Sequence, residues 1–216
     1  MKSEERRDFN KDSRQWDANL PRVQMAGAVA EAMIKEIDLS TDLDVLDFGC
    51  GTGLVTLRLQ PFVGTITGAD SSPGMLAVLE EKIESLGLTN IHTALVDFEK
   101  GDRITGKFHL IVSSMTLHHV PDTAALFSLW YDLLLPGGRL CFADLDTEDG
   151  SFHADNTGVF HLGFDRERLA ELLRDAGYRD VHASTATRAV RNVEGKGNRE
   201  FSVFLITARK LFSDRD

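Results

Sequence analysis

The chain has 216 residues, 42% of them hydrophobic, and a net charge of −10, which suits one large domain with a sizeable core. That acidic field argues against nucleic acid or an anionic membrane surface as a partner, and no dense Lys/Arg run is visible to offset it. The two cysteines, Cys50 and Cys141, lie far apart with no CxxC pair, which argues against a disulfide framework and against a bound metal.

Residues 1–20 are charged and read as an arm. Their start, "MKSEERRDFNKDSRQW", is too polar for a signal peptide, and no apolar run in the chain nears the ~18 residues of a membrane span. The expectation is a cytoplasmic protein. Pro21 to Ile37 carries apolar residues at helical spacing and predicts a helix. "DVLDF" (44–48) predicts a strand, Thr52 to Leu59 a helix and "GTITGAD" (64–70) a second strand. Ser72 then caps a helix with Pro73 at its first position, and Gly87 ends it. Strands follow at 91–96 and 108–115, a helix from Asp122 to Leu134, and an "LPGG" turn into a fifth strand at 139–145. Residues 146–164 form a long loop, and Asp165 caps a helix ending at Gly177. The last two strands, "DVHASTATRAV" and "EFSVFLITAR", are expected to form a hairpin joined by residues 191–199.

Alternating strands and helices indicate an α/β fold built on one doubly wound, mainly parallel sheet of seven strands. In such sheets ligands sit at the carboxyl ends of the strands. The most informative stretch, "LDVLDFGCGTGLVTLRL" (43–59), lies at such an end. Gly49, Gly51 and Gly53 permit a tight turn and close approach of backbone to a ligand. Asp70 stands about 20 residues beyond the start of the turn, where a ribose-binding acid belongs. A dinucleotide would be the first guess, but the third glycine of its fingerprint would fall at Leu54. Asp47 would also face the pyrophosphate. Two like charges about 4 Å apart at an effective dielectric near 20 repel by roughly 4 kcal/mol. Opposite charges gain as much, so the loop fits a cationic nucleoside without phosphate. S-adenosylmethionine is such a ligand.

The motifs support that choice. "VLDFGCGTG" resembles the first motif of class I S-adenosylmethionine-dependent methyltransferases, "GADSSPGML" (68–76) the second and "ALVDFE" (94–99) the third. "LIVSSMTLHHVPD" and "LLLPGGRL" resemble the segments around the fourth strand and before the fifth. By eye the nearest subgroup is that of the ubiquinone and menaquinone C-methyltransferases. The resemblance implies a Rossmann-like three-layer sandwich with strand order 3-2-1-4-5-7-6 and strand 7 antiparallel. It implies that Asp47 meets the cofactor's amino group, across a turn made by Gly49, Cys50, Gly51 and Gly53. Asp70 with Ser71 would take the ribose, and Met75, Asp97 and Phe98 the adenine. Ser113 would complete the set from the fourth strand.

Methyl transfer from a sulfonium is an in-line displacement, and a base is needed only if the acceptor must lose a proton. Candidates lie after the fourth and fifth strands: His118, His119, Asp144 and Asp146. The loop 147–164 adds His153 and His161 among Phe152, Phe160 and Phe164, a composition that suits a lid over a small, partly apolar acceptor. Trp16 and Arg22, just before the first helix, are expected to cover the cofactor from the arm, so that residues 1–40 cap one domain spanning 1–216. The leading expectation is a small-molecule methyltransferase, monomeric or homodimeric. The alternative is a protein that binds the cofactor without turnover, recognisable by an acceptor cavity plugged by Phe152, Phe160 or His161. A nicotinamide-dependent oxidoreductase is a third reading, weakened by Leu54 and Asp47.

Overall fold

The computed structural model describes residues 7–212. Seven strands, β1 (Asp44–Phe48), β2 (Thr65–Asp70), β3 (Ile91–Leu95), β4 (Phe108–Ser114), β5 (Leu134–Leu145), β6 (Arg179–Val193) and β7 (Gly197–Arg209), form one sheet in the order β3-β2-β1-β4-β5-β7-β6. The pairs β1–β2, β1–β4, β2–β3 and β4–β5 are parallel, and β7 runs antiparallel to both β5 and β6. This is the order and polarity that the motifs imply.

The central strands are apolar on both faces because helices cover both. Val45, Ile66, Leu110, Val112 and Cys141 point into one core with Ala26, Val29, Ala30 and Met33 of α2 (Leu20–Glu36). Their neighbours Leu46, Ile111, Leu140 and Phe142 point the other way. That second core holds Phe127 and Trp130 of an Asp122-capped helix (Thr123–Leu133) and Leu169 and Leu173 of an Asp165-capped helix (Arg166–Asp175). Period-two alternation within continuous apolar runs is the mark of a strand buried on both sides. The helix Pro73–Leu86 starts as expected, with the Ser72 hydroxyl accepting from the Met75 N–H at 3.2 Å, and ends at left-handed Gly87.

Three local expectations are corrected. The helix expected from Thr52 shrinks to Thr56–Leu59, since Gly51 and Gly53 adopt positive φ and hold residues 51–55 as turns. The "LPGG" segment is part of β5, which begins at Leu134, with a register shift opposite Phe108–Leu110. Residues 191–199 are no linker. The hairpin stays paired out to Val193↔Gly197, and only residues 194–196 turn. Ala186, Ala189 and Val193 carry this long hairpin over the α2 core and bring its tip to the carboxyl ends of the parallel strands. Of the arm, residues 7–18 contain a short helix, Phe9–Asp12, and a 3-10 segment, Ser13–Ala18; the first six residues lie outside the described ones.

Candidate active site

A cleft of about 980 Å³ opens at the carboxyl ends of β1, β2, β3 and β4. Asp47 lies on its floor, buried, with one carboxylate oxygen accepting from the Thr56 hydroxyl at 2.5 Å. Burial raises its pKa to about 7, and the nearby Asp70 adds to the rise. A carboxylate kept out of water in this way is poised for a cation. The backbone turns over it at Gly49, whose φ is +72° and whose added Cβ would lie 2.3 Å from Thr116. Only glycine fits there.

Asp70 closes the next strand. Its oxygens accept from the Gly51 and Ser72 N–H groups, each at 2.8 Å, so the turn and the carboxylate fix each other. Burial raises the Asp70 pKa, and those N–H groups oppose the rise. Ser71, buried Met75, Asp97 and Phe98 continue the wall. Asp97 caps a single 3-10 turn by accepting from the Lys100 N–H at 3.3 Å, and it pairs with the Lys100 ammonium at 3.1 Å. The arm is fastened over this end. Asp17 accepts from the Thr52 hydroxyl at 2.6 Å and pairs with Lys82 at 2.5 Å, while Asn10 Oδ1 accepts from the Gly74 N–H at 2.8 Å. Trp16 lines the cleft, with the Arg22 guanidinium 3.7 Å above its ring.

The opposite end is a cluster of imidazoles. His118 and His119 follow β4, and His153 comes from the loop; ring centroids are 4.1 Å apart for His118–His119 and 4.9 Å for His118–His153. His118 Nδ1 lies 2.7 Å from Asp144 Oδ1, both side chains fully buried. Burial pushes the Asp144 pKa up. The charge and hydrogen bond of His118, with the N–H groups of Leu145 and His118, outweigh that and hold it below the usual value. An ionised carboxylate only accepts, so Nδ1 carries the proton. In the neutral ring Nε2 is then the lone pair; it is buried with no partner among the described residues, and His118 forms part of the cleft wall. His119 Nδ1 donates to the Gly158 carbonyl at 2.7 Å. Burial lowers its pKa to about 3 and that of His153 to about 4, so both are neutral rings around His118.

Comparison with known proteins agrees with this layout. Residues 45–138 match the methyltransferase domain family. Over these residues the chain resembles that family, and its sheet order and polarity are those of a Rossmann-like methyltransferase fold. It is 32% identical over 149 residues to an uncharacterized methyltransferase of Schizosaccharomyces pombe, covering 62% of this chain and 52% of that one. Among solved structures, phosphoethanolamine N-methyltransferase 2 of Haemonchus contortus in complex with S-adenosyl-L-methionine superposes with a TM-score of 0.69 at 16% identity, over 94% of this chain and 60% of that one. The DhpI–SAH complex gives 0.72 at 19% identity, over 94% and 93%. The chain spans about half or less of the length of the curated relatives it matches.

Of the expected site residues, Asp47, Gly49, Cys50, Gly51, Asp70, Ser71, Met75, Asp97, Phe98, His118, His119 and His153 all line the cleft. The thiol of Cys50 is buried and its pKa pushed far up, which leaves it a small neutral wall group. Five expectations move elsewhere. Gly53 serves packing, since a Cβ there would meet Leu79 at 2.4 Å. Ser113 is buried and donates to the Phe48 carbonyl at 2.8 Å, tying β4 to β1 behind the wall. Asp144 stands one layer back, behind His118. His161 Nε2 donates to the Val120 carbonyl at 2.9 Å, away from the cleft. Asp146 binds Arg166 through both oxygens, at 2.6 and 2.5 Å, and anchors the loop. The loop is also held where the Phe160 N–H donates to the His118 carbonyl at 2.9 Å. Sequence reasoning missed Asn10, Asp17 and Arg191. Their signals are single polar residues in stretches whose packing partners lie far along the chain.

Proposed function

We propose that the chain is an S-adenosylmethionine-dependent methyltransferase of a small molecule, in which His118 takes up the proton that the acceptor gives up. The observation that carries this is one cleft whose wall holds both a buried carboxylate under a glycine turn and a histidine backed by a buried carboxylate. The residues present fit the cofactor. Asp47 would hold its ammonium group, Asp70 its ribose hydroxyls, and Met75, Asp97 and Phe98 its adenine. When bound, S-adenosylmethionine supplies a methyl group already activated by the sulfonium.

The acceptor's own X–H bond breaks as X gains the methyl group. His118 Nε2 takes the proton, and the imidazolium that forms lies 2.7 Å from the Asp144 carboxylate. This is the arrangement by which a carboxylate orients a histidine base and steadies its charge. It favours acceptors that lose a proton on methylation, such as a hydroxyl, a thiol or an acidic carbon.

The same reading includes one domain, the arm over the cofactor end and residues 146–164 as the acceptor lid. It also includes a cytoplasmic location, a monomer or homodimer, and no nucleic acid or membrane partner. Supporting it, no helix among the described residues is long and apolar enough to cross a membrane. A non-catalytic binding role would need a plugged acceptor end. Phe152 instead packs against Phe201, Phe160 sits at the rim, and the cleft volume is at the upper end for small-molecule sites. The test is calorimetric titration with S-adenosylmethionine, S-adenosylhomocysteine and NADH side by side. Binding of the first two alone is expected; binding of NADH alone would overturn the proposal in favour of an oxidoreductase.

A further inference from the structure

Three arginines gather on the cleft wall although the chain carries −10 overall. They are Arg7, Arg22 and Arg191. Arg191 projects from the paired extension of β6, 4.8 Å over the ring of Phe152. It is half-buried, it has no hydrogen bond or ion pair among the described residues, and its Nε is fully enclosed without an acceptor. Arg22 stacks on Trp16 and donates to the Trp16 carbonyl at 2.9 Å, again with no carboxylate partner among the described residues. Arg7 is the exception, paired with Asp12 at 2.7 Å. Burial lowers the Arg22 pKa, and the charges of Arg7 and Arg191 lower it further against the opposing pull of Asp12 and Asp17, which places the three guanidinium groups in one field.

The cleft wall also carries acids, but they are engaged elsewhere or stand at the edge. Asp8 caps the arm helix and pairs with Lys11, Asp155 accepts from Thr157, and Glu194 is exposed on the hairpin turn. A half-buried guanidinium with five donors and no acceptor has lost water without replacement. Arg191 is such a group, and the like charges of Arg22 and Arg7 in the same field raise its cost. An oxyanion removes it, because its paired oxygens match the guanidinium fork and its charge offsets the field.

We infer that the acceptor is an acid, whose carboxylate or phosphate is held by Arg191 and Arg22 with Arg7 at the rim, while the group to be methylated reaches His118. This rests on the proposed methyltransferase reading for its second half and on the arginines alone for its first. Whole-chain charge, which favours neutral or cationic ligands, is overruled at this one place.

The full chain, saturated with S-adenosylhomocysteine, is titrated with inorganic phosphate and with propionate at constant ionic strength, with chloride as the control. Saturable binding of one anion is expected, at least tenfold weaker in Arg191→Gln and Arg22→Gln and partly kept in Arg191→Lys. S-adenosylhomocysteine affinity should stay within twofold in the two Arg191 variants. Preference for phosphate marks a phosphorylated acceptor, and preference for propionate a carboxylic one. Binding no better than chloride, or equal binding by Arg191→Gln, overturns the inference. Failure of S-adenosylhomocysteine itself to bind would count against the methyltransferase reading; the same anion titrations on the unliganded chain would still decide the arginine site.

Discussion

The two ends of the cleft are built by different means. At the cofactor end, successive strands each end in or near an acid, Asp47, Asp70 and Asp97; Asp97 is held by Lys100, and Asp70 by the Ser72 N–H and by the Gly51 N–H 19 residues before it. At the acceptor end, the groups come from the arm, the turn after β4, the loop 146–164 and the hairpin tip. His119 meets a carbonyl 39 residues away, and His118 meets a carboxylate 26 residues away. One end is acidic; the other is basic, aromatic and assembled. Opposite charges at the two ends would let one cleft hold a cationic cofactor and an anionic acceptor without confusing them, and the average charge of the chain describes neither.

The sharpest way to break this division is at His118. His118→Gln keeps a hydrogen-bond donor for Asp144 but cannot accept a proton into the ring. Methyl transfer should fall by about 10²–10⁴-fold while S-adenosylmethionine affinity stays within twofold. Asp144→Asn tests the positioning role behind it. The amide favours the opposite tautomer and removes the lone pair from the cleft, for a loss of about 10²-fold or more. Loss of cofactor affinity in either variant would mean that the two ends are not separable.

Asp47 tests the other end by pH. Its folded pKa of about 7 lies above the ordinary 3.8, so the unliganded protein loses stability as pH rises from about 4 to 7. A bound ammonium group favours the ionised carboxylate, so binding expels the proton. Apparent S-adenosylmethionine affinity should therefore rise by about 50-fold from pH 5 to pH 7 and then level off. Asp47→Asn should bind weakly at every pH with that dependence flattened. An unchanged slope in the variant would place the cation elsewhere.

The same contrast explains what the sequence made legible. The roles of Asp47 and Asp70 could be stated from spacing and charge, while the strand order and the role of Asp97 came only through the resemblance of the motifs. Gly53 was grouped with the ligand turn because its spacing matches Gly49 and Gly51; that it abuts Leu79 depends on where the helix Pro73–Leu86 packs. Arg191 was invisible because periodicity alone does not show that β6 and β7 stay paired to Val193 and carry a polar stretch onto the cleft. His118 and His119 are adjacent and chemically identical, and only the position of Asp144 distinguishes the proposed base from its neighbour.

Gly53→Ala sharpens the boundary between ligand turn and packing. Its φ of +81° and the Leu79 contact predict a destabilisation of about 1–3 kcal/mol, seen as a lower denaturation midpoint. Whatever cofactor affinity is lost should track the stability loss, because the glycine does not line the cleft. Gly49→Ala, by contrast, should lose cofactor affinity beyond its stability loss.

The smallest effect is expected at His161, which looks as catalytic as His153 in the sequence. Its Nε2–H holds the Val120 carbonyl and its ring lies 4.9 Å from Phe164, so it works on the side of the loop facing away from the cleft. His161→Ala should cost about 1 kcal/mol of stability for the lost hydrogen bond and leave the methyl-transfer rate within about twofold. His153→Ala should lower the rate more while costing less stability, since the ring lines the cleft and its Nε2 has no partner among the described residues. If the two variants behaved alike, the loop would be acting as one stiff unit, and the side on which each histidine lies would carry no functional meaning.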